Sequence, residues 1–145
     1  MKKFLVFGSP KIEQPEIDEV VDSLKSGWLG TGPKVHQFEE MFKAYTGSTY
    51  ASALYSCTAG LHLSMLAIGI KPGDEVIVPT MTLTATASAV IHAGGIPIFA
   101  DCEKNSMNID PKDIERKITK RTKAIIPVHF AGRPCNMKEI MKIAK

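Results

Sequence analysis

Apolar positions in the first third of the chain recur with the spacing of a helix, whereas later ones fall in short continuous runs. Ile17, Val20, Val21 and Leu24 stand at i, i+3, i+4 and i+7, one face of a 3.6-residue repeat. Gln14, Pro15 and Glu16 suit the start of this helix, because proline lacks an N–H that the first turn leaves unpaired and acidic side chains favour the positive end of the helix dipole; Gly27 suits its end. A second helix is expected over residues 33–45, with Val35, Phe38, Phe42 and Tyr45 on its buried side and Gly47 as its stop. Between the two lies GWLGTGP, a glycine-rich link that holds the only tryptophan, Trp28.

From Ser48 onward the pattern changes. Residues 49–55 read as a strand, 58–70 as a helix, 74–79 (DEVIVP) as a strand, 81–92 as a helix and 96–101 (IPIFAD) as a strand. Residues 111–118 then read as a short charged helix, 122–130 (TKAIIPVHF) as a strand, and Asn136 as the start of another helix. Local preference opposes only the 81–92 helix, where Thr82, Thr84 and Thr86 are β-branched. Strands rich in Val and Ile, apolar on both sides and alternating with helices, give an α/β fold class: a mostly parallel sheet with helices on both faces. Residues 1–47 form an N-terminal helical segment and 48–145 the alternating part, with no repeat or linker between them. The last residues, MKEIMKIAK, lie in an amphipathic helix of the kind that leads into a further strand, so the sequence reads as the N-terminal part of something longer.

Composition narrows the picture. The 145 residues are 44% hydrophobic and 23% charged, the balance of a globular protein and not of a disordered one. Eighteen basic and fifteen acidic residues are scattered without a like-charge run, so neither nucleic acid nor a membrane is an expected partner. Cys57, Cys102 and Cys135 are odd in number, far apart and without zinc spacing, which suits free thiols in a reducing cytoplasm and no metal. The start, MKKFLVFGSPKIEQ, has too short an apolar core for a signal peptide, and no stretch approaches the roughly 18 apolar residues of a membrane span.

In a parallel sheet, ligands gather on the loops that leave the carboxyl ends of strands. Four such loops can be placed: 56–59, 80–84, 101–105 and 129–134. The first offers the best anion site, since Ser56, Cys57, Thr58 and Ala59 open a helix with few side chains in the way of its N–H groups. Ser and Thr at such a junction are also the ordinary N-caps, and the stretch matches neither G-x-G-x-x-G nor G-K-[ST]. His62, between leucines, reads as a half-exposed surface residue. His129, at a strand end, is either a ligand contact or the holder of a structural hydrogen bond, and Trp28 either plugs a helix end or lines a site. Asp101 and Glu103 flank Cys102, but side chains two apart diverge, which favours a solvated loop over an acid/base pair.

The succession GWLGTGPKVHQFEEMFKAYTG, SCTAGLHLSMLAIGIKPGDEVIVPTMT, AGGIPIFADCE, NIDPKDIERKITKRTKAIIPVHFAG closely resembles the first part of the DegT/DnrJ/StrS family of sugar aminotransferases. These are fold-type I enzymes that use pyridoxal 5'-phosphate (PLP). The resemblance implies transfer of an amino group from glutamate to a keto carbon, C4 being the position of its most similar members, of a nucleotide-linked sugar, in polysaccharide or related sugar biosynthesis. It implies a homodimer. Carried over by position, Thr58 and Ala59 match the residues that bind the cofactor phosphate, with Cys57 beside them where the family often has Gly or Ala. Leu83 matches a position that is usually Phe or Trp stacked on the cofactor ring, so its aliphatic side chain is a departure. Trp28, Thr31 and Gly32 match a loop near the active site and, with His129, are the candidate substrate contacts.

The family's Schiff-base lysine and the carboxylate that holds the pyridine nitrogen are expected after Lys145, and Lys71, Lys120 and Lys123 do not match the catalytic position. No catalytic residue is therefore assigned, and the chain is expected to be inactive alone. Two alternatives stay open: a PLP-dependent sugar dehydratase of the same family, in which histidine replaces the lysine, and a non-catalytic fragment that binds phosphate or forms oligomers.

Overall fold

A computed structural model describes residues 8–145; the signal-peptide question posed by the first seven residues lies outside the described part. The chain divides into two compact units, Met1–Ala53 and Leu54–Lys145. Among the described residues no helix is long and apolar enough to cross a membrane.

The first unit holds α1 (Gln14–Ser26) and α2 (Pro33–Thr46). Both end as expected, on Gly27 (φ 72°) and Gly47 (φ 70°), the left-handed geometry that closes a helix at least cost in glycine. Lys34 joins the two helices, its Nζ lying 2.9 Å from the Asp22 carboxylate and also meeting Glu19. The apolar stripes form, but they are not buried: neither helix has a buried residue, and Phe38, Phe42 and Tyr45 are exposed, Tyr45 to 90%. Two helices of this length cannot enclose both stripes by packing on each other alone.

The second unit carries a three-stranded parallel sheet in the order β2-β1-β3, with β1 (Glu75–Pro79), β2 (Ile96–Ala100) and β3 (Thr122–Ile125). Every residue of the central strand is buried. Val76 and Val78 face α3 (Cys57–Ala67) and α4 (Ala85–His92), in a cluster with Met65, Ile70 and Val90. Ile77 faces the opposite side, towards α5 (Pro111–Lys117) and α6 (Met137–Ile143), in a cluster with Ile109, Ile114 and Ile140. Helices thus cover both faces of the sheet, and alternation along one strand feeds both cores. Gly95 turns the chain from α4 into β2 where a Cβ would sit 2.8 Å from Ile70 Cγ2 and 3.0 Å from Val90 Cγ1, so the close approach of helix and strand needs glycine.

Three expectations are corrected. Residues 49–55 are not a strand: no strand lies beside them among the described residues, and the Ala53 N–H donates instead to Glu39 Oε1 at 2.8 Å. The helix expected from residue 81 begins only at Ala85, because the chain first makes a turn in which the Leu83 carbonyl accepts the Thr86 N–H at 3.0 Å. The Thr82 and Thr86 hydroxyls meet across that turn at 2.8 Å. The third strand stops at Ile125; the Ile126 N–H still reaches Ile77 O at 2.8 Å, but Pro127 has no N–H with which to continue. Pro97 does fit within β2, since the Ile96 N–H points to Asp74 O beside β1 and the next amide position faces the open edge.

Asp113 fixes α5 to the end of β2. Its buried carboxylate accepts the Asp101 N–H at 2.6 Å and meets Arg116 at 2.8 Å and Lys117 at 3.0 Å. The Asp101 N–H, then Lys117 and Arg116, hold the Asp113 carboxyl down at about 2. A carboxyl lowered on folding stabilises the native state above its unfolded value of about 3.9, and that contribution fades as pH falls from there through about 2. Asp113→Asn should cost about 2 kcal/mol in urea unfolding at pH 7. The difference from the parent protein should shrink as the pH is lowered from about 4 towards 2; a pH-independent difference would show that the charge of Asp113 is not what holds α5.

Candidate functional site

Parallel strands joined by helical crossovers end at one edge of a sheet and have their helices begin there. The α3 helix returns through a tight turn, in which the Asp74 N–H donates to Lys71 O at 3.0 Å, straight into β1. Its first turn therefore lies at the edge where β1 finishes, together with the starts of α4, α5 and α6.

Ser56 caps α3: its Oγ accepts the Ala59 N–H at 3.1 Å, and its carbonyl accepts the Gly60 N–H at 3.2 Å. The N–H groups of Cys57 and Thr58 have no acceptor among the described residues. Cys57 and Thr58 are exposed and Ala59 is buried. The first turn of α3 has no acidic residue. Two free N–H groups and the Thr58 hydroxyl thus stand at an uncompensated positive helix end, a donor set that fits a phosphate. The Ala59 N–H, matched to the same role in the sequence, is already engaged by Ser56, so a phosphate meets it only if the cap yields.

Leu83 stands between the end of β1 and the start of α4, 75% exposed, free to cover a flat ring but without aromatic stacking. His129 lies just after β3 as the cap of the 3₁₀ turn Phe130–Gly132, and its Nδ1 accepts the Cys135 N–H at 3.1 Å. Cys135 is buried, donates its thiol to Val128 O at 3.1 Å, and has its thiol pushed up by that burial.

Asn108 is a residue that the sequence did not single out. It is 2% exposed, and its side chain bonds to Phe130 N–H, Arg133 O and Pro134 O, tying the loop after β2 to the loop after β3. Asp101 and Glu103 serve their own turn, accepting from the Cys102 N–H at 2.7 Å and the Ser106 hydroxyl at 2.6 Å.

In the first unit, the Trp28 indole N–H donates to Thr31 O at 2.9 Å and its ring lies on Gly32, where a Cβ would come within 1.9 Å of Nε1. Gly32 is extended (φ −168°), so the ring and not the backbone angle requires glycine. Trp28, Thr31 and Gly32 form one folded link with the indole half-exposed.

A wider cleft of ≈ 480 Å³ lies at the starts of α5 and α6, lined by Glu103, Asp110, Glu115 and Glu139 with Lys112 and Lys142. Four carboxylates against two ammonium groups make it a poor host for a phosphate dianion. Among the described residues no group of His, Cys, Asp and Glu is placed to hold a metal ion.

The model of the DegT/DnrJ/EryC1/StrS aminotransferase family matches residues 10–145. The chain belongs to that family. It is 51% identical over 144 residues to MJ1066 of Methanocaldococcus jannaschii, covering 99% of this chain and 37% of the relative. It is 49% identical over 142 residues to the spore coat polysaccharide biosynthesis protein SpsC of Bacillus subtilis, covering 98% and 36%. Among solved structures, Spr1654 from Streptococcus pneumoniae, determined in PLP- and PMP-forms, superposes with a TM-score of 0.90 at 40% identity, over 96% of this chain. This chain spans little more than a third of the length of these relatives. The α/β fold with its parallel sheet is thus that of the family's PLP-dependent members.

The Ser56 cap can be measured directly. Ser56→Ala should lower stability by about 1 kcal/mol in urea unfolding at neutral pH. An unchanged midpoint would show that the Ala59 N–H gains nothing from the cap.

Proposed function

We propose that this chain supplies the cofactor-phosphate anchor of a PLP-dependent sugar aminotransferase, which moves an amino group from glutamate to a keto carbon, C4, of a nucleotide-linked sugar. In this reading residues 1–47 are the helical segment and 48–145 the first alternating part of the large domain, working in a cytoplasmic homodimer. The observation that carries it is the first turn of α3: the free N–H groups of Cys57 and Thr58, the Thr58 hydroxyl, and no carboxylate nearby in the turn. The family match over residues 10–145, the PLP- and PMP-forms of Spr1654 and the polysaccharide role in the name of SpsC support it.

Bound PLP would supply the electron sink that lets an amino group leave one carbon and join another. The work of this chain's residues is different. Cys57 and Thr58 would hold the phosphate, Leu83 would shield one ring face from water, and His129 would contact the sugar nucleotide; for the link Trp28–Thr31–Gly32 of the first unit, a substrate contact rests on the family match alone. No lysine here takes the catalytic role, so the chain is not expected to turn over by itself.

Pyridoxamine 5'-phosphate is the useful probe, because it lacks the aldehyde that reacts with any surface lysine. It should shift the amide resonances of Cys57 and Thr58, and unphosphorylated pyridoxamine should not. Thr58→Val, which removes one hydroxyl donor to a charged group, should weaken that binding about tenfold or more. Equal effects of the two amines would overturn the phosphate anchor. Separately, PLP followed by borohydride should label no single lysine stoichiometrically, and stoichiometric reduction onto one lysine would overturn the view that the chain lacks the catalytic nucleophile.

A further inference from the structure

We infer that His129 is a preset Nε2–H donor to an oxyanion at the carboxyl edge of the sheet, its ring fixed by the Cys135 N–H and its loop held by Asn108 as a positioning residue. The inference deepens the function proposed above and rests on that reading only in placing the ligand at this edge.

The Cys135 N–H donates to His129 Nδ1 at 3.1 Å. A ring nitrogen accepts only when it carries no proton, so the neutral imidazole must keep its one proton on Nε2. The ring is exposed, and Nε2 has no partner among the described residues. The outward side of the imidazole is thus a donor and not a base.

The bond closes a tight loop through Ala131 (φ 50°) and Gly132 (φ 81°). Alanine is rarely left-handed, so something must hold the loop in that shape. Asn108 does so: Nδ2 donates to Arg133 O at 3.0 Å and Pro134 O at 3.1 Å, and Oδ1 accepts the Phe130 N–H at 2.9 Å. Both donors and the acceptor of a buried amide are spent on the five residues that follow His129. Asn108 itself follows Met107, which is also left-handed at φ 59°. Two rare backbone conformations and one fully used buried amide converge on the placement of a single exposed ring.

The ligand class follows from charge. Residues 126–134 include Arg133 and no acidic side chain. The neighbouring turn brings Glu103, a carboxylate that accepts from Ser106 Oγ at 2.6 Å and keeps its charge. A neutral donor on a segment whose one cationic side chain is Arg133, which reaches Asn105 O at 3.4 Å, suits a carboxylate or phosphate oxygen.

The test uses the full chain labelled with ¹⁵N. At pH 8 the long-range ring correlations of His129 should show the Nε2–H tautomer alone, with a slowly exchanging Cys135 amide. Asn108→Ala should mix the two tautomers and speed exchange of the Cys135 amide at least tenfold. Inorganic phosphate and glutamate are then titrated separately. At least one should move the His129 Nε2 resonance with saturation; His129→Gln, which keeps an N–H at that reach, should retain binding, and His129→Phe should weaken it about tenfold. Because His129 is exposed, these two variants should fold even if Asn108→Ala does not. An Nδ1–H or mixed tautomer in the parent chain, or a resonance that neither anion moves, would overturn the inference. Movement of His129 without any response of Cys57 and Thr58 to pyridoxamine 5'-phosphate would instead sink the phosphate anchor alone.

Discussion

Burial of Glu75–Pro79 on both faces is the constraint from which the remaining arrangement follows. A strand with no solvated face must be covered twice, and its Val76 and Val78 on one side and Ile77 on the other can be covered only by separate helical layers. With both neighbours parallel, each connection has to cross back over a face, and a helix is the economical way to do so without stranding backbone polar groups. Strand ends and helix starts are then forced to the same edge. The candidate site is a by-product of that burial: Thr58, Leu83 and His129 lie far apart in sequence and share an edge because the core requires it.

What the core does not fix, buried polar groups do. Glu75 opens the central strand as a buried carboxylate met by Arg121 and by the Thr119 hydroxyl, which ties the starts of β1 and β3. Asp113 does the equivalent at the far end of β2, and Asn108 joins the two loops beyond it. Among the described residues no buried side-chain nitrogen or oxygen lacks a partner. Such groups stabilise only when fully satisfied, and each of these would be costly to leave half-bonded. They also narrow the loops to one shape, which hydrophobic contact alone does not.

Much of the fold was legible because period and punctuation act locally. Pro15, Gly27, Gly47, Pro111 and Asn136 mark helix ends in the positions where they are found. The misses share a cause, namely that the deciding partner is remote or absent. Residues 49–55 have strand composition, but a strand is a property of a pair, and the Ala53 N–H turns to a glutamate instead. The stripes of α1 and α2 announce burial without naming a cover. At the site, the order of the loops put Thr58 in the first turn of a helix and Leu83 on the loop after β1, where both lie, yet the hold of Ser56 on the Ala59 N–H was visible only as a generic cap. Asn108 left no trace at all, since one asparagine in NSMNID has no period and its partners lie 22 to 26 residues away.

Four helices begin at this edge, and the choice of α3 as the phosphate end is an electrostatic one. The first turns of α5 and α6 contain Asp113 and Glu139, and their caps are Asp110 and Asn136, whose side chains already accept the leading N–H groups. Those dipoles are compensated from within, and the cleft between them is acidic. The start of α4 carries no carboxylate, but it is entered through a backbone turn in which the Leu83 carbonyl takes the Thr86 N–H. Only α3 combines an extended entry at Ser56, two donors without acceptors, a hydroxyl beside them and no negative charge in the turn. A dianion brought to this edge gains more at α3 than at α5 or α6, where the field it would neutralise has already been neutralised by the protein's own side chains.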